Sequence, residues 1–295
     1  MIPSLPRTRW LRAGTAVYLL AFLAFLFLPL IVVGVFAFND APYPAPPWRG
    51  FTLDWFLGNA AAGRTGLFAD RELLGSLWTS CSVALWVTLL AALIGTSNAF
   101  LLERGRFRGK QTLSVLMLAP LVIPGVILGI SILAFASRIA EFADDTFGLE
   151  LDFLRPGLPL VVLGQFSYIA TIATLTISAR LRRFDTTLEE AALNLGASKA
   201  AVFRTILLPY LRPALLGSAG ISFLMSFADF NTTLMVVGSD APLTVMMYGR
   251  MREGATPVLN AVSLFLMLAS AVLALALLRR GGPQGGAQGG ARAAA

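Results

Sequence analysis

Two stretches of the chain hold residue types at spacings that could do work. The first is 185–213. There Asp185, Thr186 or Thr187 can cap a short helix whose first turn carries Glu189 and Glu190, where the helix dipole favours acids. Gly196 can take the left-handed conformation that ends a helix, and Ser198 can cap a second helix running to Leu208, with Pro209 disrupting its continuation. The small Ala191 and Ala192 let another protein surface approach closely. The second stretch surrounds Asp229, an acid in an apolar run flanked by Ser226, Asn231, Thr232 and Thr233. A carboxylate in a narrow, low-dielectric passage attracts a cation and repels anions. Its other use would be to accept hydrogen bonds that hold neighbouring helices together.

Other chemistry is excluded by residue type or by spacing. Histidine is absent and Cys81 is the single cysteine, which removes intramolecular disulfides, Cys/His zinc sites and His-dependent triads. Glu141, Asp144, Asp145, Glu150 and Asp152 lack metal-ligand spacing and read as a solvated acidic face. Gly105 to Gln111 imitates a phosphate-binding loop, but it is one residue short between its glycines and has Gln where Ser or Thr should hold magnesium. No catalytic residue, metal site or nucleotide site is therefore expected, and any ATP would be hydrolysed by another subunit.

The elements that must position these residues are membrane helices. Of 295 residues, 57% are hydrophobic and 13% charged, with a mean hydropathy of +0.75. A soluble domain carries about 25% charged residues. Apolar stretches long enough to cross about 30 Å of hydrocarbon lie near 16–38, 74–101, 112–136, 157–178, 213–237 and 258–278. The first is too long for a cleaved signal segment and reads as a retained helix. The fold expected is all-α, a polytopic membrane protein of six transmembrane helices. On this division 1–15 is a tail, 16–278 the membrane domain and 279–295 a flexible Gly-rich tail. Gly125 and Gly129 form a GxxxG that permits close helix packing. The loop 39–73, with prolines clustered at 42–47, reads as extended, with Trp48, Phe51, Trp55 and Phe56 at the membrane interface. A docking surface for an extracytoplasmic partner is its other reading.

Lys and Arg are sorted by side. The two tails and the loops 102–111 and 179–212 hold 16 of them, and the other three loops hold 7. Positive-inside bias puts both termini and those two loops in the cytoplasm. The +7 net charge thus reflects topology, not nucleic-acid binding. On these boundaries Asp229 is the only ionisable residue within a span.

The loop 179–212 resembles the EAA motif of binding-protein-dependent ABC importer permeases, E-A-A-x3-G-x9-I-x-L-P. It matches at Glu190, Ala191, Ala192, Gly196, Ile206, Leu208 and Pro209. The resemblance covers roughly 16–278 and is closest to spermidine/putrescine permeases, through Trp48-Arg49-Gly50-Phe51-Thr52, Arg106-Phe107-Arg108-Gly109-Lys110 and Pro257-Val258-Leu259-Asn260-Ala261. It departs where Ala228 precedes Asp229, since those permeases often carry adjacent acids there.

The resemblance implies a permease subunit in the bacterial cytoplasmic membrane, itself without cofactor, whose loop 179–212 couples it to an ATPase dimer that binds ATP and magnesium. The further partners implied are a second permease subunit, a paralogue, and an extracytoplasmic solute-binding protein. Asp229, Ser226, Asn231 and Thr232 are the expected substrate path, for a polyamine or, alternatively, another small solute such as an organophosphonate or thiamine. A secondary transporter would need inverted repeats and more intramembrane charge, and a membrane enzyme a reactive constellation. The topology has a direct check. Impermeant thiol reagents applied from outside should label a cysteine placed at position 59 and not one at 198, and the reverse pattern would overturn the orientation.

Overall fold

With no water in hydrocarbon to satisfy backbone groups, each apolar stretch closes its hydrogen bonds on itself as a helix. The computed structural model describes residues 9–254 and 256–280. Ten helices organise it: α1 (Arg9–Phe36), α2 (Arg71–Arg104), α3 (Lys110–Leu116), α4 (Gly125–Phe147), α5 (Leu158–Leu181), α6 (Thr187–Asn194), α7 (Lys199–Ala228), α8 (Asn231–Val236), α9 (Leu243–Gly254) and α10 (Val258–Arg280). Six of them, α1, α2, α4, α5, α7 and α10, are long and apolar enough to cross a bilayer. The fold is all-α, and among the described residues β-structure is limited to two isolated bridges. The proposed tail 279–295 lies outside the described residues from 281 onward, as do residues 1–8, while α1 already begins at Arg9.

Besides the earlier start of α1, two spans depart widely from their sequence boundaries, and prolines or a polar break explain each. The third was expected at 112–136, but the spanning helix runs from Gly125 to Phe147. Pro124 leaves Ile123 extended (ψ 129°), as a residue before proline prefers, and this separates α3 and the turn at Ala119–Val122 from α4. Glu141, Asp144 and Asp145 therefore sit on the last turns of α4, not in a loop, and Arg138 also lies on that helix. Arg138, Glu141, Asp144 and Asp145 are thus ionisable residues on a spanning helix, whereas Asp229 lies just past the end of one. The fifth span was expected at 213–237. Instead α7 starts at Lys199, passes Pro209 without stopping, and ends at Ala228, one residue before Asp229. A π-helical turn at Phe203–Leu207 ends two residues before Pro209, and its wider winding accommodates a residue that has no N–H.

The chain divides into two compact units. The larger comprises Gly75–Met246 and Ser270–Ala295. Its centre is α5, of whose apolar window 56% is buried, against 33% or less in the other five spans. Val83, Val87 and Ala91 of α2, Ala136 of α4, Leu160, Val161, Ile169 and Ala173 of α5, and Val236 of α8 form one core. Lipid tails are as apolar as these side chains, so the helices hold together by close approach. A Cβ on Gly95 would stand 2.8 Å from the Ala173 Cβ, and one on Gly129 would stand 2.8 Å from the Met235 Cβ. Gly125 and Gly129 thus form the seat of α8.

The other unit comprises Met1–Leu74 and Met247–Ala269. Its loop is folded rather than extended: residues 41–47 run as successive bends. Trp55 is buried, donating from Nε1 to the Asn39 carbonyl at 2.8 Å, and so does not belong to the interface set, whereas Trp48 and Phe51 are exposed. Arg64 lies 4.7 Å over the Trp55 ring and pairs with Asp40 at 2.6 Å and Asp54 at 3.2 Å. Arg250 clasps Asp70 and, at 2.7 Å, Glu72. The guanidinium bond holds the Asp70 carboxyl below the usual carboxylate range despite burial, and Arg250 is raised in turn.

If the glycines set helix spacing, Gly129→Val should destabilise the purified chain by about 1–3 kcal/mol through overpacking. Gly217→Ala, whose methyl meets nothing within 4 Å, should leave the unfolding midpoint unchanged or slightly higher. Thermal unfolding in detergent reads both.

Candidate functional site

The 185–209 hairpin is built by its caps. Asp185 Oδ1 accepts from the Thr187 hydroxyl at 2.8 Å and from the Thr187 N–H at 3.0 Å, which pulls its carboxyl below the ordinary range. Thr186, at the boundary of α6, makes no side-chain cap. The far end closes as a Schellman turn: Gly196 has φ +88°, its N–H donates to the Leu193 carbonyl at 2.9 Å, and the Ala197 N–H donates to the Ala192 carbonyl at 3.0 Å. Ser198 Oγ then accepts from Ala201 N at 3.2 Å and starts α7.

The motif residues divide between two surroundings. Ile206 packs on the cluster of Leu181, Phe184, Leu207 and Leu211. Glu190, Ala191, Gly196, Leu208 and Pro209 are exposed, and Ala192 is half-buried. Positions 188, 191, 192 and 195 share one face at helical spacing, where Leu188 is 53% and Leu195 88% exposed. Bare leucines on a short helix, outside the six spans, form an apolar surface ready to be covered. The hairpin is meanwhile fastened to the helices behind it. Arg104 at the end of α2 grips Glu189 with two bonds, 2.7 and 3.1 Å, and lies 5.7 Å over the Phe184 ring, while Arg182 reaches Glu103 at 2.9 Å.

The second site is the break between α7 and α8. Asp229 leaves helical geometry (ψ 126°) and is half-buried. Its Oδ1 accepts from the Tyr168 hydroxyl at 3.1 Å, and its Oδ2 accepts from the Thr233 N–H at 2.9 Å and the Thr233 hydroxyl at 2.7 Å. Gln165 Nε2 donates to Thr233 Oγ1 at 2.8 Å, and the Ser226 hydroxyl donates to Gln165 Oε1. The Thr244 hydroxyl donates to the Asp229 carbonyl at 2.8 Å. Of the four expected path residues, Ser226 and Thr232 are buried within the chain, Thr232 against Gly125 and Gly164, and only Asn231 is exposed beside the half-buried Asp229. The four do not line one surface.

Sequence reading missed Tyr168 and Thr244 at the break, and the pairing of Glu103, Arg104 and Arg182 around the hairpin. A signal existed for Tyr168, because Gln165 and Tyr168 stand three residues apart and so share one face of α5. Among the described residues no group of three or more His, Cys, Asp or Glu side chains converges. The arrangement holds the Asp229 carboxyl group in place and, at the hairpin, presents an uncovered apolar surface.

Residues 88–280 match the family described as binding-protein-dependent transport system inner membrane component. The chain belongs to this family. It is a membrane-spanning permease subunit of an ABC importer. It is 29% identical over 271 residues to the spermidine/putrescine transport system permease protein PotC of Escherichia coli K12, covering 91% of this chain and 92% of that one. It is also 28% identical over 199 residues to the sulfate transport system permease protein CysT of Salmonella typhimurium LT2, covering 63% and 72%. Among solved structures, a chain of a bacterial ABC transporter involved in the import of the acidic polysaccharide alginate matches at TM-score 0.68 and 16% identity, covering 92% of this chain and 94% of that one, which shows a shared fold.

A test of the hairpin geometry separates backbone from packing. A Cβ on Gly196 meets nothing within 4 Å, so the penalty of Gly196→Val is conformational, about 1–2 kcal/mol for a left-handed residue. Hydrogen–deuterium exchange at residues 193–197 should accelerate in Gly196→Val and stay near wild type in Gly196→Asn and Asn194→Ala.

Proposed function

We propose that this permease subunit pairs with a paralogous permease to enclose the path of an ABC importer for small organic polycations of the polyamine class. ATPase subunits dock on the hairpin 186–209, and a solute-binding protein delivers cargo at the opposite face. The observation that carries the reading is the hairpin itself: a capped, Schellman-terminated helix with an uncovered Leu188–Leu195 face and a fastened back. An amphipathic helix laid in a groove is a general way for one subunit to move another. The 16-to-7 sorting of Lys and Arg supports a cytoplasmic hairpin and cytoplasmic termini.

In this mechanism the permease performs no covalent step. ATP binding closes the ATPase dimer, the hairpins follow, and the spans switch between inward- and outward-facing packings. Loaded binding protein and ATP must each favour one packing, or neither could drive the switch.

The polyamine assignment draws on the relationship to the polyamine permease and on the acidic side chain of Asp229, fixed in position at the break. The substrate path is then narrowed to Asp229 and the exposed Asn231, because Ser226 and Thr232 face inward. Three hydrogen bonds leave Asp229 Oδ1 with a lone pair. The carboxylate can thus hold the break and still attract an ammonium group. The sulfate permease relative favours a second reading, the same importer carrying an anion.

Reconstitution with the ATPase subunits and the cognate binding protein decides between them. Spermidine-loaded binding protein should stimulate ATP hydrolysis and uptake. Asp229→Asn should reduce uptake about tenfold, the equivalent of about 1.4 kcal/mol, with assembly intact. Normal polyamine uptake by Asp229→Asn removes the path role, and anion-dependent stimulation replaces the cargo.

A further inference from the structure

The hairpin and the break at Asp229 are joined by a continuous set of contacts that neither site explains alone. α2 runs unbroken from Arg71 to Arg104. At one end Arg104 holds Glu189 of the hairpin through two hydrogen bonds. About 36 Å away, at 1.5 Å per residue, the buried Ser80 Oγ accepts the Leu243 N–H at 2.8 Å. The next residue, Thr244, bonds the Asp229 carbonyl. Between these ends α2 is locked to α5: Val83, Val87 and Ala91 share the core with Leu160, Val161 and Ile169, and Gly95 lies against Ala173 too closely for a Cβ. α5 reaches the same break from its other side through Tyr168. Its C-terminal end returns to α2 through Arg182 and Glu103.

We infer that α2 and α5 act as one lever: the Arg104–Glu189 pair passes hairpin movement to α2, and Ser80–Leu243 and Tyr168 deliver it to the break at Asp229. The inference rests on the hairpin being the ATPase coupling element. Packed cores do not deform continuously, so a displaced rod shifts what is bonded to its far end. Arg104 and Glu189 are positioning residues here and touch neither ATP nor cargo. A bidentate Arg–carboxylate pair transmits direction as well as attraction, because its two parallel bonds fix orientation. The exposed docking face at Leu188 and Leu195 is left untouched by either residue.

The test labels the assembled importer carrying Asn231→Cys on a Cys81→Ala background, and reads uptake in parallel on complexes that keep Asn231. Thiol labelling at 231 should differ between nucleotide-free and ATP-trapped complexes. Arg104→Glu and Glu189→Arg should each abolish that difference and uptake while the ATPase subunits stay bound and hydrolyse ATP. The milder Arg104→Gln should behave likewise. The double exchange Arg104→Glu with Glu189→Arg should restore both the labelling difference and uptake. The inference is overturned if a single variant keeps the difference, if the double exchange restores nothing, if the single variants lose their ATPase subunits, or if wild-type labelling ignores nucleotide. Leu195→Asp serves to separate the two ideas. Normal ATPase-subunit binding by Leu195→Asp brings down the coupling reading, and the lever with it. Lost binding there combined with a failed exchange brings down the lever alone.

Discussion

A backbone that leaves its helix inside hydrocarbon must find partners for the groups it frees, since each unpaired one costs several kcal/mol. At the α7–α8 break Asp229 meets this requirement by accepting the Thr233 N–H while Thr244 satisfies the Asp229 carbonyl. Gln165, Ser226 and Tyr168 complete the set, so the break draws on α5, α7, α8 and α9 at once. That convergence orders the larger unit. α8 must lie flat against Gly125 and Gly129, α5 must sit between α2 and α8, and α2 can then approach α5 at Gly95.

The hairpin obeys a different constraint. Outside the spans its backbone is capped by local side chains, and its energetic problem is apolar surface left uncovered. Leu188 and Leu195 face away from the chain while Ile206 and Leu207 face into it, so one short segment carries both an anchored side and an open side. The electrostatic fastening by Arg104 and Arg182 matters because small residues such as Ala191 and Ala192 supply little grip of their own.

Much of this was legible in the residues. Gly196 announced a left-handed turn and Ser198 a cap, because both report local backbone geometry that few residue types tolerate or supply. Gly125 and Gly129 announced close packing, and the count of six spans followed from length and apolarity. Hydropathy cannot see hydrogen-bond continuity, and the errors fell there. A run of apolar residues through Pro120 and Pro124 looks like one span from 112 to 136, yet proline geometry moves the helix to Gly125. Pro209 looked like a stop and was absorbed by a wider turn. Trp55 looked interfacial from its type, but Asn39 and Arg64, distant in sequence, draw it inside. The polar stripe around Asp229 was visible, whereas its partners Tyr168 and Thr244 lie on other helices that only tertiary structure brings near.

On the proposed coupling role, the uncovered face of the hairpin is the seat of the ATPase subunit. Cysteine cross-linking in the assembled importer tests it most directly, with Leu195→Cys at the face and Phe51→Cys, also exposed, as the comparison. The account predicts a covalent adduct between position 195 and the ATPase subunit, formed rapidly with a short cross-linker, and none from position 51. A position 195 that stays free and fully open to thiol reagents after assembly would contradict it.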